Sequence, residues 1–503
     1  MTSQQPPLPA APKSDVEANI EALRAVFPQA FTEQSVDFDC LKRLLGGGET
    51  YGLQWPGRQE ALEALAAPAQ GLLIPAPDES LAPESTRNIL VCGDNLPVLK
   101  LLQRQWANKV KLIYIDPPYN TGNDFVYRDN FRIGLKSYRD RTSAADSGRF
   151  HADWLSMIYP RLALARNFLT PDGIVLISID DKELDHLTVI GREIFGDNNF
   201  CGHFVWEKKR KPSFLDAQMG RVTEYIVCFA RDRTLARAFT AGSTAQAKKY
   251  PFNNAGNGLK TLTFPAGSVS FRCPDGLIPA QDMSTERIVT RLLDPVTIAG
   301  GRNKEAFRLL GEWRYSQATL EGFVARGEDI IISRVPFRPN YISRTPVPKK
   351  TTNLLSYRTN GLPTNEDAAA ELRALFGADV MTYPKPSGLM AYLIDAVTSN
   401  GDLVMDFFAG SGSTAHGLWL ADMAAGIRRQ FILVQMPEPT RQPARLGGWK
   451  TTPAWDAGFP TIFDVTRQRL LLTARQLRAQ ASSNGDPEIA TDLGFQVLRH
   501  HHP

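Results

Sequence analysis

Six short apolar runs constrain this chain most: NILVC (Asn88 to Cys92), KLIYI (Lys111 to Ile115), GIVLISI (Gly173 to Ile179), EYIVCFA (Glu224 to Ala230), DLVMDFF (Asp402 to Phe408) and QFILVQM (Gln430 to Met436). Each has the length of a strand. Segments with helical spacing separate them, around Leu96 to Trp106, Asp153 to Phe168, Lys182 to Phe195, Asp367 to Leu375 and Ser387 to Val397. Near-continuous apolar strands alternating with helices imply βαβ units, because a parallel strand is covered by helices on both faces. The expected fold class is α/β, with a doubly wound, Rossmann-like parallel sheet. The rhythm fails over 231–364, where Gly, Pro, Asn and the basic pairs Lys248-Lys249 and Lys349-Lys350 indicate an inserted unit. The chain then divides into an N-terminal accessory segment and linker (1–85), a first part of the α/β domain (86–230), the insert (231–364), a second part (365–440) and a C-terminal helical segment (441–503). The accessory segment is expected to open with a helix capped by Ser14 or Asp15, with Val16, Ile20, Leu23 and Phe27 on one face.

Of 503 residues, 43% are hydrophobic, enough for a large core, yet no run reaches the roughly 18 apolar residues of a membrane helix. The start, MTSQQPPLPAAPKSD, is polar and proline-rich, so the expected location is cytoplasmic, with no membrane partner. The five cysteines form no CxxC pair and are expected to be reduced and structural. Charge is uneven. Residues 201–350 carry 24 Lys and Arg against 13 Asp and Glu, while the rest of the chain is acidic. Such a basic region suits a polyanion, since cations that neutralise phosphates release counterions.

Two turns carry the chemistry. YIDPPYNTG (Tyr114 to Gly122) places an acid and two prolines where a buried strand should stop. An exocyclic amine conjugated to a base ring is a poor nucleophile until acceptors draw its hydrogens. Asp116 and the carbonyl of Pro117, held outward by Pro118, are candidates for that task. Tyr119 would stack on a base rotated out of a duplex, acting through its ring, so that phenylalanine would serve there. The second turn is DFFAGSGST (Asp406 to Thr414), a strand followed by Gly410 and Gly412 and a helix opening at Ser413. Glycines permit a sharp turn and close approach to a ligand, and the helix start offers free N–H groups. It lacks the lysine of a phosphate-binding loop and the third glycine of the dinucleotide pattern. Glu438, one strand later, is placed like an acid that takes ribose hydroxyls.

Together these stretches resemble the S-adenosylmethionine-dependent DNA amino-methyltransferases, in the β-class order of catalytic motif, recognition region and cofactor loop. The similarity is closer to modification subunits of type III restriction systems. It is carried by GDNLPVLKLL (Gly93 to Leu102), YIDPPYNTGNDFVYRDNF (Tyr114 to Phe131), DWLSMIYPRLALARNFLTPDGIVLISIDD (Asp153 to Asp181), YPKPSGLM (Tyr383 to Met390) and RQFILVQMPE (Arg429 to Glu438). The resemblance implies a circularly permuted methyltransferase fold, with 231–364 as a target-recognition domain. It implies methylation of the N6 amine of adenine in double-stranded DNA, with N4-cytosine methylation and a DNA-binding specificity subunit bearing an inactive methylation domain as alternatives. The implied catalytic residues are Asp116, Pro117, Pro118 and Tyr119. The implied cofactor residues are Asp94, Lys385, Asp406, Phe408, Ala409, Gly410, Ser411, Gly412, Ser413 and Glu438. Asp180 and Asp181 are read as caps of the helix from Lys182. Lys208, Lys209, Arg210 and Lys211, in WEKKRKPS, are read with Lys248, Lys249, Lys349 and Lys350 as phosphate contacts. No metal is called for. A homodimer and a restriction subunit are the implied partners, although the chain stops at DLGFQVLRHHHP where longer relatives continue.

Overall fold

The computed structural model describes residues 52–120, 149–212, 218–243, 249–342, 348–443, 448–483 and 491–501, together with 23, 26 and 36. Most of the expected N-terminal helix, with Cys40, Lys248 and His502, lies outside the described residues, but Leu23 and Val26 within it are helical and exposed. Ten strands form one mixed sheet: β1 (Leu72–Pro75), β2 (Ile89–Cys92), β3 (Val110–Ile115), β4 (Leu169–Ile179), β5 (Phe200–Glu207), β6 (Thr223–Ala230), β7 (Leu354–Leu355), β8 (Leu403–Asp406), β9 (Gln430–Gln435) and β10 (Gln496–His501). Their order is β1-β10-β2-β9-β8-β3-β4-β6-β5-β7. The six strands from β10 to β4 run parallel, whereas β6 is antiparallel to both β4 and β5. The expected all-parallel sheet is thus corrected at β6, which returns alongside β4 instead of crossing over.

Alternation along the strands builds a core on each face. Ile113 and Ile115 of β3 join Val175, Ile177, Met405 and Ile432 beneath α1 (Arg58–Ala66), α2 (Asn95–Trp106), α3 (Arg149–Phe168) and α4 (Leu184–Phe195). Leu112 and Tyr114 join Ile174, Leu176, Val404 and Leu433 beneath α6 (Ser387–Val397), α7 (Ser413–Ala425) and α8 (Ile462–Ser483). A period of two therefore sends neighbouring residues into different layers. α5 (Asn365–Phe376) precedes them, fixed by a capping box between Thr364 and Asp367 and stopped by Gly377 in the left-handed region.

Two segments taken for a linker and a helical tail belong to the sheet. β10 lies between β2 and β1, parallel to the one and antiparallel to the other, so QVLRHH is a strand and not part of a helical segment. The insert leaves and rejoins the core through an antiparallel ribbon, Thr240–Ser243 against Pro348–Lys350, extended by Lys249–Pro251 against Asn340–Ile342. It has its own aromatic core, including Phe252, Phe264, Phe307, Trp313 and Phe337. Cys92, Cys201, Cys228 and Cys273 are free thiols, and no described helix is long and apolar enough to cross a membrane.

Candidate active site

The two informative turns begin side by side. β3 and β8 are parallel neighbours, with Met405 opposite Ile113, so both chains leave the same sheet edge, one into Asp116-Pro117-Pro118-Tyr119 and the other into Phe408-Ala409-Gly410-Ser411. In a parallel α/β sheet that edge is where ligands bind. A cavity of about 650 Å³ opens between them, lined by Asp116, Pro117, Pro118 and Tyr119 on one side and by Asp406, Phe408, Ala409, Gly410, Ser411 and Ser413 on the other. That volume is in the range of small-molecule sites, roughly 300 to 1,000 Å³.

Asp116 sits in a compact charged cluster. Lys385 Nζ lies 2.9 Å from Asp116 Oδ1 and 3.3 Å from Glu224 Oε2, and donates to the Tyr119 hydroxyl at 2.8 Å. That hydroxyl in turn donates to Asp116 Oδ1 at 2.8 Å, with Glu224 Oε2 at 3.2 Å. Lys208 closes the set on Glu224 Oε1 at 2.9 Å. Two carboxylates thus face two ammonium groups, and all three donors of Lys385 are spent. Burial pushes the Asp116 carboxyl above the usual carboxylate range, with Glu224 adding to it and Lys385 opposing. Burial acts on Glu224 in the same direction, but Lys385 and Lys208 outweigh it and hold Glu224 low. Lys385 is itself held above its ordinary value: burial disfavours its charge, and Asp116 and Glu224 prevail. The turn is braced from outside, since Trp154 Nε1 donates to the Pro118 carbonyl at 2.7 Å.

The glycine turn rests on a second buried network. Asp406, 2% exposed, takes Phe408 N–H on Oδ1 at 2.9 Å and the Thr414 hydroxyl on Oδ2 at 2.5 Å. Burial still pushes its carboxyl up to about 7. Gly410 and Gly412 adopt φ of +53° and +81°, and a Cβ on Gly412 would stand 2.8 Å from Leu470 Cδ1. Arg469 donates to Ser411 Oγ at 2.7 Å and pairs with Glu371, which also receives His416 at 3.0 Å and the Ser387 hydroxyl at 2.7 Å. Burial raises the Glu371 carboxyl, but His416 and Arg469 outweigh it and hold it down to about 2.

Not every expected residue lies where the sequence suggested. Asp94 is outside the cavity lining; it accepts from Leu96 N–H at 3.0 Å as the cap of α2, and Arg161 reaches it at 3.2 Å. Lys385 stands with Asp116. Glu438 is buried beyond β9, and its carbonyl accepts from the N–H of Ile462, itself a lining residue, at 2.9 Å. Neither aspartate caps α4, which opens at Leu184 after Glu183 and not at Lys182: Asp180 accepts from Lys182 N–H at 3.0 Å in the turn before the helix, and Asp181 takes Arg221 at 3.1 Å and the Tyr225 hydroxyl at 3.0 Å. Of the basic residues, Lys208 turns inward to Glu224, Lys209 lines the cavity, and Arg210 is committed to Asp367 at 2.8 Å and to the Tyr357 ring at 4.2 Å. Lys211, Lys249, Lys349 and Lys350 are exposed.

Glu224, Glu371, His416 and Arg469 were missed. Glu224 did leave a signal, a charge heading an otherwise apolar inner strand.

Comparison with known proteins agrees with this geometry. The modification subunit of the type III restriction-modification enzyme StyLTI from Salmonella typhimurium is 29% identical over 462 residues, covering 89% of this chain and 66% of that subunit, so the chain spans just under two thirds of its length. The EcoPI modification subunit of Escherichia phage P1 is 27% identical, covering 95% and 77%. The type II methyltransferase M.KpnI of Klebsiella pneumoniae is 28% identical, covering 78% and 89%. Residues 110–434, which run from the strand before Asp116 to the strand after the glycine turn and make up well over half of the chain, match the N6/N4 methyltransferase family described as DNA methylase, and the chain belongs to that family.

Proposed function

We propose that this protein transfers a methyl group from S-adenosylmethionine to the N6 amine of an adenine rotated out of double-stranded DNA, at a specific site, within a restriction-modification system. The observation that carries the reading is the shared cavity: the acid-proline turn and the glycine turn leave adjacent parallel strands and face one chamber. S-adenosylmethionine brings a methyl group already activated by a positively charged sulfur. The chamber suits a cation, because Asp116, Asp180, Glu224, Asp379 and Asp406 line it against Lys208, Lys209 and Lys385. Asp406, Phe408, Gly410 and Gly412 would cradle the donor's amino-acid end, with Glu438 toward its ribose.

The chain's own residues then perform three tasks. Pro117 and Asp116 accept the two hydrogens of the amine, which favours a pyramidal nitrogen with its lone pair free. Lys385 and Tyr119 both bond Asp116 Oδ1, so Oδ2 is the oxygen offered to the amine. The raised Asp116 carboxyl is also the group suited to take the departing proton, since an acceptor works best when its affinity for protons approaches that of the medium. The ring of Tyr119 stacks on the extrahelical base.

The insert would read the DNA sequence in the major groove, with Lys211, Lys249, Lys349 and Lys350 on phosphates. The names of the relatives, modification subunits of type III restriction-modification enzymes, support a place beside a restriction subunit and action on DNA. The protein would further act as a homodimer in which one copy reads while the other modifies, and would do so in the cytoplasm. Incubation with labelled S-adenosylmethionine and DNA, digestion to nucleosides and mass analysis tests the reaction. N6-methyladenine is expected. N4-methylcytosine would move the activity to the other amine that the family serves, and absence of transfer would favour a specificity subunit.

A further inference from the structure

A second cluster of ligating side chains lies on the outer side of the Asp116 turn, where the sequence called for no metal. Glu183 and His186 stand three residues apart at the start of α4, a spacing that puts both side chains on one helix face. The first turn of α3 brings His151 against them. Glu183 is fully buried, and each of its oxygens meets one imidazole: Oε1 lies 2.7 Å from His151 Nδ1 and Oε2 lies 2.8 Å from His186 Nδ1. The two rings are 4.6 Å apart at their centroids, and the three ligating atoms all lie within 4.8 Å of one another. Asn120, the residue after Tyr119, donates its amide to the same Glu183 oxygen at 2.5 Å.

A buried carboxylate is costly unless it is paired with positive charge or coordinates a metal. Among the described residues, no lysine or arginine reaches Glu183; its partners are two imidazoles and an amide. The ligand set points to a metal, since one carboxylate and two imidazole nitrogens converge within 4.8 Å of one another. We infer that His151, Glu183 and His186 form a binding site for a divalent transition-metal cation of the zinc class. Two imidazole nitrogens and a carboxylate are ordinary donors for such ions, at about 2.0 to 2.2 Å from each. Ligand atoms already this close need only small ring rotations to share one ion. The half-exposed rings of His151 and His186 leave an open side for entry and for a further water ligand. Through Asn120, an ion here would fix the chain just after Tyr119.

The test uses the full chain, stripped with a chelator and titrated with Zn²⁺ by calorimetry and with Co²⁺ by visible absorption. One equivalent is expected to bind, with the d–d bands of a nitrogen and oxygen site, and the melting temperature should rise as the site fills. His186→Ala and His151→Ala should each weaken binding by about 100-fold and abolish the metal-dependent rise in melting temperature, measured against each variant's own apo protein. The terminal histidines His500 to His502 are the competing source, so a variant with all three changed to alanine must retain the site. Binding that disappears with that triple variant, or that survives His186→Ala and Glu183→Gln undiminished, or no binding at all, would overturn the inference.

Discussion

Changing Tyr119 to phenylalanine separates two jobs that the sequence alone merged into one. The ring is kept, so stacking on an extrahelical base should survive. What is lost is a hydroxyl that lies 2.8 Å from Asp116 Oδ1 and 2.8 Å from Lys385 Nζ. A hydrogen bond to a charged group contributes about 1.5 to 3 kcal/mol. The direct contact of Lys385 with Asp116 at 2.9 Å remains, so the carboxylate would be less restrained but not released. If the loss falls on the transition state, each 1.36 kcal/mol is a factor of ten, and methyl transfer should slow by about 10- to 150-fold. Single-turnover transfer of labelled methyl groups to a DNA duplex measures this step. A fluorescent base analogue at the target position should report unchanged base rotation. Transfer within about twofold of the unsubstituted protein would refute the claim that the hydroxyl organises Asp116, and phenylalanine would then be as tolerable as the motif first suggests.

Asp116→Ala should lower transfer by about 10² to 10⁴ while cofactor and DNA affinity stay within a few-fold; near-normal turnover would remove Asp116 from the mechanism. Gly412→Ala forces φ of +81° on an L side chain and drives a methyl group against Leu470, so about 1 to 3 kcal/mol of stability should be lost along with cofactor affinity, read by melting and calorimetry. The Asp406 carboxyl, ordinarily near 3.8, is raised to about 7 by burial, so the folded state holds its proton more tightly than the unfolded chain. The stability it supports is complete below pH 3.8 and is lost as pH rises through about 7, at up to about 1.4 kcal/mol per pH unit. Asp406→Asn should flatten that decline in melting temperature, and an unchanged slope would refute the assignment.

Much of the frame was readable because burial on both faces leaves a strong mark. Ser387 to Val397 was delimited as a helix at both ends, and the runs at Lys111 to Ile115 and Gln430 to Met436 could hardly be anything but inner strands. Direction was not readable. Nothing in EYIVCFA says that it returns antiparallel beside β4, since the same residues bury equally well either way. Leu72–Pro75 and Gln496–His501 hid in polar, proline-rich surroundings because an edge strand and its neighbour need little apolar sequence. The catalytic turn was visible through its prolines, but its charge balance was not. Glu224 comes from β6, Lys208 from just beyond β5 and Lys385 from the approach to α6, and only the fold brings them to Asp116. Asp94 shows the converse: an acid after a strand and before a helix fits a cap as well as a ligand contact.

The strand Gln496–His501 has a consequence for how the molecule comes into being. It is the bridge between Leu72–Pro75 and the rest of the sheet, so the edge of Ile89–Cys92 stays open on the ribosome until translation has passed residue 501. Residues made early wait for residues made late. Nascent chains stalled before that point should be protease-sensitive along this flank, and the sheet closes there only once Gln496–His501 has been added.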